Sequence, residues 1–162
     1  MCILPDHEII NRMEKGSLSI EEFSPQSITP NGYDLRIAEI SVRGSGSTNQ
    51  GTVSIPPRTM FYVSTIESVG LPSDICAQLW LRTTWIRRGI MSSFGKVDAG
   101  FKGTLTLGAF NATDDFIDLP IGERFCQMVL EKLNSFVDSD YSVRSGNYQN
   151  QRGVTLQPKN KY

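Results

Sequence analysis

The sequence contains a single histidine, His7, and three cysteines, Cys2, Cys76 and Cys126, too far apart to form a CxxC pair. That leaves no ligand set for a zinc cluster, and the odd, scattered thiols read as reduced core or surface groups. Ser-His-Asp and Cys-His mechanisms would all depend on His7, which opens a short amphipathic segment where a solvated role is expected rather than a catalytic one. No GxxxxGK[ST] occurs, so a P-loop nucleotide enzyme is unsupported. No apolar run approaches the roughly 18 residues of a membrane helix, and no signal-peptide pattern is present; a cytoplasmic protein with no membrane partner is expected. Sixteen basic residues against 17 acidic ones leave a formal charge of −1. That balance argues against an evenly basic coat, and no nucleic-acid partner is expected.

What is present reads as one β domain, and 162 residues are enough for one substantial core. Residues 5–15, PDHEIINRMEK, predict a short helix: acids in the first turn, Ile9, Ile10 and Met13 on one face, Gly16 as the stop. Beyond it, SLSI, YDLRIAEISV, GTVSI, TMFYVSTI, ICAQLWL, GIMSSF, TLTLGAF and RFCQMVLEKL are short, rich in β-branched or aromatic residues, and bounded by Gly, Pro, Asn or Asp. Such segments at short spacing predict an all-β sandwich or barrel. QMVLEKL reads as strand in preference to a helical turn. RGSGSTNQG (43–51) reads as a flexible loop without periodicity. After about residue 134 the hydrophobicity falls away, which divides the chain into a domain over 1–134 and a tail over 135–162. Composition alone makes that tail a plain or disordered extension; a segment that orders over a ligand is the alternative.

Two stretches have phosphate-binding character. In LRTTWIRRG (81–89), Arg82, Arg87 and Arg88 flank the hydroxyls of Thr83 and Thr84, and guanidiniums offer permanently charged, bidentate donors to phosphate oxygens. Taken alone, the stretch reads as a solvated basic turn rather than a phosphate site. Arg152 with GVT at 153–155 is a weaker candidate. Asp98, in GKVDAGF, is the best isolated candidate for a general base, beside the plainer reading of a turn aspartate that bonds its own backbone.

Taken in order, NGYDLR (31–36), RTTWIRRG (82–89), GKVDAGFKGTLTL (95–107), GERFCQMVL (122–130) and YQNQRGVT (148–155) resemble the five motifs of the dUTPase and dCTP deaminase superfamily. The N-terminal helix and GSLSIEEFSPQSITPNGYDLR look more like its dCTP deaminase branch, which includes archaeal-type dUTPases. The resemblance spans about residues 3–157. It implies a dUTPase-like distorted β-barrel or jelly roll with a short N-terminal helix, assembled as a homotrimer. Its active sites would lie between subunits, bind a deoxynucleoside triphosphate with Mg²⁺ carried mainly by the phosphates, and be closed by the C-terminal lid. Position by position, it implies that Asp98 activates water and that Phe101 packs on deoxyribose. The backbone around Val97 and Leu105 to Leu107, beside Lys96, would read the pyrimidine. Arg82, Thr83, Thr84, Arg87 and Gln127 would hold phosphates, and Tyr148, Gln151 and Arg152 would belong to the lid.

One position departs from the deaminase pattern. Where that branch reads LEF.N, with a glutamate that shuttles protons during deamination, this chain reads LGAFN, with Gly108. Deamination at C4 needs a positioned acid/base group, typically worth about 10²–10⁴-fold in rate. Hydrolysis of a phosphoanhydride is mostly positioning and charge neutralisation. The expectation is therefore a dUTP diphosphatase, nearest the archaeal-type dUTPases, that releases dUMP and pyrophosphate. The alternatives are a dCTP deaminase, mono- or bifunctional, and a catalytically silent nucleotide-binding relative.

Overall fold

A computed structural model describes residues 2–159. The chain opens with β1 (Cys2–Ile3) and α1 (Asp6–Glu14). Asp6 and Glu8 lie in the first turn of α1 and Arg12 in its last, in agreement with the helix dipole. Ile9 is fully buried, and Arg12 reaches Asp74 at 3.0 Å, so the helix is clamped by an apolar anchor and an ion pair. Then follow β2 (Ser19–Glu21), β3 (Ile28–Thr29), β4 (Gly32–Val42), β5 (Gly46–Thr48), β6 (Thr52–Ile55), β7 (Met60–Thr65), β8 (Ser68–Gly70) and β9 (Ile75–Leu81). A short helix, α2 (Thr83–Arg87), leads to β10 (Ile90–Ser92), β11 (Lys96–Val97), β12 (Lys102–Gly103), β13 (Thr106–Asn111), β14 (Ile117–Pro120) and β15 (Arg124–Lys132). One turn of helix, α3 (Tyr141–Arg144), stands in the tail.

The fold is mostly β, a curled antiparallel half-barrel. The principal sheet runs β10-β13-β7-β4-β15-β9-β11, with β1, β3 and β5 paired at its margins; β12-β8-β2 and β14-β6 complete it. β15 lies between β4 and β9 and is covered on both faces, hence its near-continuous apolar run rather than an alternation. From it Phe125 packs within about 6.2 Å of the rings of Phe61, Trp85 and Phe94. Buried Cys126 has its thiol pushed up by desolvation, which keeps it protonated and inert. β13 alternates cleanly: Leu107, Ala109 and Asn111 enter the core, while Thr106, Gly108 and Phe110 face the other way.

Two stretches differ from the sequence reading, and the tail differs from what its composition alone suggests. Residues 43–51 are not a bare loop: β5 pairs with β4 through Ile40↔Thr48 to Val42↔Gly46. Its residues are all exposed, so no side-chain pattern announced it. RTTWIRR is not a turn but α2, too short to display a period and anchored by one buried residue, Trp85, whose indole donates to the Arg124 carbonyl at 2.9 Å. The tail, which composition alone makes a plain extension, is docked. Asp140 caps α3 through the Ser142 amide at 3.0 Å, and Gln151 sits against β12, where its side-chain amide donates to the Thr104 carbonyl at 2.6 Å.

Candidate functional site

Asp98 follows β11 in a tight turn: the Phe101 amide donates to the Asp98 carbonyl at 3.2 Å. Gly100 occupies the third position with φ 84°, a conformation that glycine adopts without strain. A side chain there would also collide with Asp140, whose Cβ lies 2.4 Å from the position a Cβ would take. The turn fixes two neighbours differently. Phe101 turns inward, 5% exposed, with its ring edge-on to Tyr141 at 5.5 Å. Asp98 keeps its carboxylate exposed, with the Lys96 ammonium at 3.7 Å.

Both face a cleft of ≈610 Å³ between β7, β11, β13 and the tail. Its apolar wall is made of Met60, Tyr62, Leu79, Phe94, Leu105 and Leu107, its polar mouth of Ser93, Lys96 and Asp98, and the tail supplies Tyr148, Gln151 and Thr155. Apolar walls with a few convergent polar groups suit a small-molecule ligand. Gln151 is buried, and its Oε1 has no partner within the described residues. The backbone edge of β13 is also open: β10 pairs only with residues 109–111, leaving 106–108 without a ladder partner on that side among the described residues. Leu105 contributes nothing to that edge, because its amide donates to the Thr65 hydroxyl at 2.9 Å and its carbonyl accepts from the Thr65 amide at 3.1 Å. Within Leu105–Leu107, the main-chain groups open on that edge therefore belong to the strand residues that follow Leu105.

Gly108 lies on the cleft side. A Cβ built on it would point between Met60 and Tyr62, with contacts of 3.4 and 3.6 Å. Those are ordinary van der Waals contacts, so a Cβ fits at this position. Asp114 and Asp115 do not compensate: both are exposed outside the cleft, and Asp114 is paired with Arg58 at 2.9 Å. His7 is likewise solvated at the start of α1.

The expected phosphate residues are elsewhere. Arg82 is held at 2.9 Å by Asp34, a buried carboxylate on β4 that Arg124 also approaches at 3.6 Å. Burial pushes the Asp34 carboxyl up, against the opposing pull of the two guanidiniums. Gln127, on β15 opposite Asp34, donates to the Thr29 hydroxyl at 3.1 Å. Thr83, Thr84 and Arg87 are exposed on α2. So Lys96, Val97, Asp98, Phe101, Tyr148 and Gln151 share one cleft, while Arg82, Thr83, Thr84, Arg87 and Gln127 form a separate basic region that does not line it. Arg152 joins neither; its guanidinium pairs with Glu21 at 3.1 Å. Among the described residues no three His, Cys, Asp or Glu side chains are grouped to hold a metal ion. Met60, Tyr62 and Tyr141 were missed by motif reading, since nothing in their local pattern separates them from core.

Residues 42–133 match the family described as dCTP deaminase-like. A protein of Thermococcus kodakarensis named dCTP deaminase is 38% identical over 157 residues, covering 95% of this chain and 96% of its own. A protein of Aquifex aeolicus named dCTP deaminase, dUMP-forming, is 33% identical, covering 94% and 92%. The crystal structure of the 2′-deoxycytidine 5′-triphosphate deaminase of Agrobacterium tumefaciens superposes with TM-score 0.70 at 21% identity, over 80% of this chain and 48% of that one. The native dUTPase of EIAV superposes with TM-score 0.55 at 16% identity, over 75% and 93%. The last two likenesses concern the fold alone. The nearest-to-archaeal-dUTPase placement is not supported: the full-length relatives are named dCTP deaminase, and the motifs that carried the resemblance are common to both activities.

Proposed function

Because the chain belongs to the dCTP deaminase-like family, we propose that it is an enzyme acting on a pyrimidine deoxynucleoside triphosphate, with dCTP the substrate that its full-length relatives favour. In this reading the apolar wall receives the base, Phe101 packs against the deoxyribose, and the open edge of β13 with the Val97 backbone meets the pyrimidine. Asp98, the carboxylate lining the cleft, takes a proton from the attacking water, and the Lys96 ammonium stands 3.7 Å from that carboxylate. Water adds across the C4–N3 bond, one of its protons going to N3 and the other to the leaving amine, and dUTP and ammonia result. The observation that carries the reading is full-length similarity to proteins named dCTP deaminase, at 38% identity for the Thermococcus kodakarensis protein.

Dephosphorylation of dUTP to dUMP and pyrophosphate is a second reading, favoured by one feature of the cleft. Position 108 faces it and carries no acid, so deamination loses a proton carrier while hydrolysis loses nothing. The bifunctional reaction, dCTP to dUMP, would join the two. In either case the triphosphate must meet positive charge beyond Lys96. We assign that role to Arg82, Thr83, Thr84, Arg87 and Gln127 of a neighbouring copy in a homotrimer, since they do not line this chain's own cleft. Exposure of Trp80, Ile86 and Met91 around α2 and β10 supports such packing. The residues fit Mg²⁺ only as a companion of the phosphates, because Asp98 is a single exposed carboxylate with an ammonium beside it; the ion would neutralise phosphate charge. Tyr148, Gln151 and Arg152 belong to the closing tail.

The test is a product assay with Mg²⁺, dCTP and dUTP offered separately, with ammonia and pyrophosphate followed. Ammonia from dCTP establishes deamination. Pyrophosphate from dUTP without ammonia from dCTP establishes the second reading. Gly108→Glu, whose Cβ meets only ordinary contacts, should then raise ammonia release.

A further inference from the structure

β7 and β13 pair in register, with Tyr62 directly opposite Gly108 and Met60 opposite Phe110. Because one side of that pair is a hydrogen atom, the Tyr62 ring lies over the vacancy, 3.6 Å from where a Cβ would stand. The ring is half-buried and lines the cleft together with Leu105, Leu107 and Phe101. Among the described residues its hydroxyl is partnered by the Met60 sulfur alone, at 3.7 Å, a weak acceptor that leaves the phenol's own acceptor sites empty. An apolar wall thus carries one uncommitted polar tip, at the place where this chain has dispensed with a side chain.

We infer that the Tyr62 hydroxyl hydrogen-bonds the exocyclic group at C4 of the bound pyrimidine, and that it lets the cleft accept both the amino and the oxo base. A phenol donates to the oxygen of uracil and accepts from the amino group of cytosine by rotating one O–H bond. A carboxylate at position 108 would accept only, favouring the amino base and repelling the oxo one. Tyr62 is therefore a specificity-determining residue of a tolerant kind. This rests on the nucleotide reading above. A purely structural use of Tyr62, covering a glycine within a sheet, needs the ring alone.

Tyr62→Phe keeps the ring and removes the hydroxyl, so binding by calorimetry separates the two roles. The probes are dCTP, dUTP and the 2-pyrimidinone deoxynucleoside triphosphate, which has only hydrogen at C4. The variant is expected to bind dCTP and dUTP each roughly tenfold more weakly, the worth of one neutral hydrogen bond, and the 2-pyrimidinone nucleotide as the unaltered protein does, with an unchanged melting temperature. Equal affinity of both proteins for dCTP and dUTP overturns the inference, as does a loss confined to one of them or an equal loss for all three probes. If the unaltered protein binds none of the three, the nucleotide reading falls and takes this inference with it. If it binds dCTP and dUTP and the variant binds them equally well, this inference alone falls.

Discussion

The cleft around Asp98 and the basic region around Arg82 are built on opposite principles. The cleft is concave, walled by apolar side chains from β7 and β13 and roofed by the tail, and its carboxylate stands in solvent. The basic region lies outside that cleft. Its Arg82 is tied to buried Asp34, which Arg124 also approaches, while Arg87 and the hydroxyls of Thr83 and Thr84 sit on an exposed helical turn. A cleft can be completed within one chain, because loops and a tail can fold over it. A charged surface needs something opposite it, and here that is proposed to be the neighbouring copy's cleft. β4 serves both regions, with Asp34 on one stretch and the pairing to β7 further along.

Removing the cleft's carboxylate should have the largest consequence. Asp98→Asn is expected to lower turnover by about 10²–10⁴-fold while nucleotide binding, followed by calorimetry, survives. Loss of binding with turnover would make Asp98 a ligand contact instead. Mixing tests whether the two regions belong to different copies. Asp98→Asn and Arg82→Ala should each be inactive alone, yet equal amounts co-refolded should regain about one site in four, the random share of sites that draw both intact residues. No recovery would place both regions in one chain's site.

The shared strand can be loosened without touching either region. Arg36 on β4 pairs with fully buried Glu67 at 2.7 Å, and Tyr33 also donates to that carboxylate at 3.2 Å. Glu67→Gln should cost about 3–5 kcal/mol of stability, read by denaturant unfolding, with both regions failing together. The smallest effect concerns the roof. Glu21 is held below its usual 4.5, chiefly by its hydrogen bond from Arg152. A depressed carboxylate contributes stability above its unfolded pKa and loses it as pH falls through the folded value. The tail should therefore loosen below about pH 4.5 while the barrel still holds. Faster hydrogen exchange at Asn150 and Val154 than at β15 would report it, and Arg152→Ala should abolish the pH dependence.

Much of this was legible in the residues. PDHEIINRMEK gave α1 because a nine-residue helix has room to show a face, and TLTLGAF gave β13 because a strand with one wet face alternates. Asp98, Phe101 and the arginines were proposed from ordered motifs, which need only spacing; Asp98 and Phe101 share the cleft, and Arg82 and Arg87 do not line it. α2 and β5 were missed: five residues show no period, and a fully exposed strand has no pattern to show. Tyr62 was missed because its role depends on what faces it across a ladder, forty-six positions away in sequence at Gly108.

The order of apolar and turn residues was enough to set the β class and the N-terminal helix, because these follow from local sterics and from which residues must leave water. Which residues share a cavity followed from long-range pairing. Register placed Tyr62 beside the empty position 108, bonded Leu105 away from the cleft, laid the tail across its mouth and put Arg82 on another surface. Those outcomes depend on backbone pairing between strands distant in sequence, and a one-residue slip in any ladder would have exchanged core for cleft.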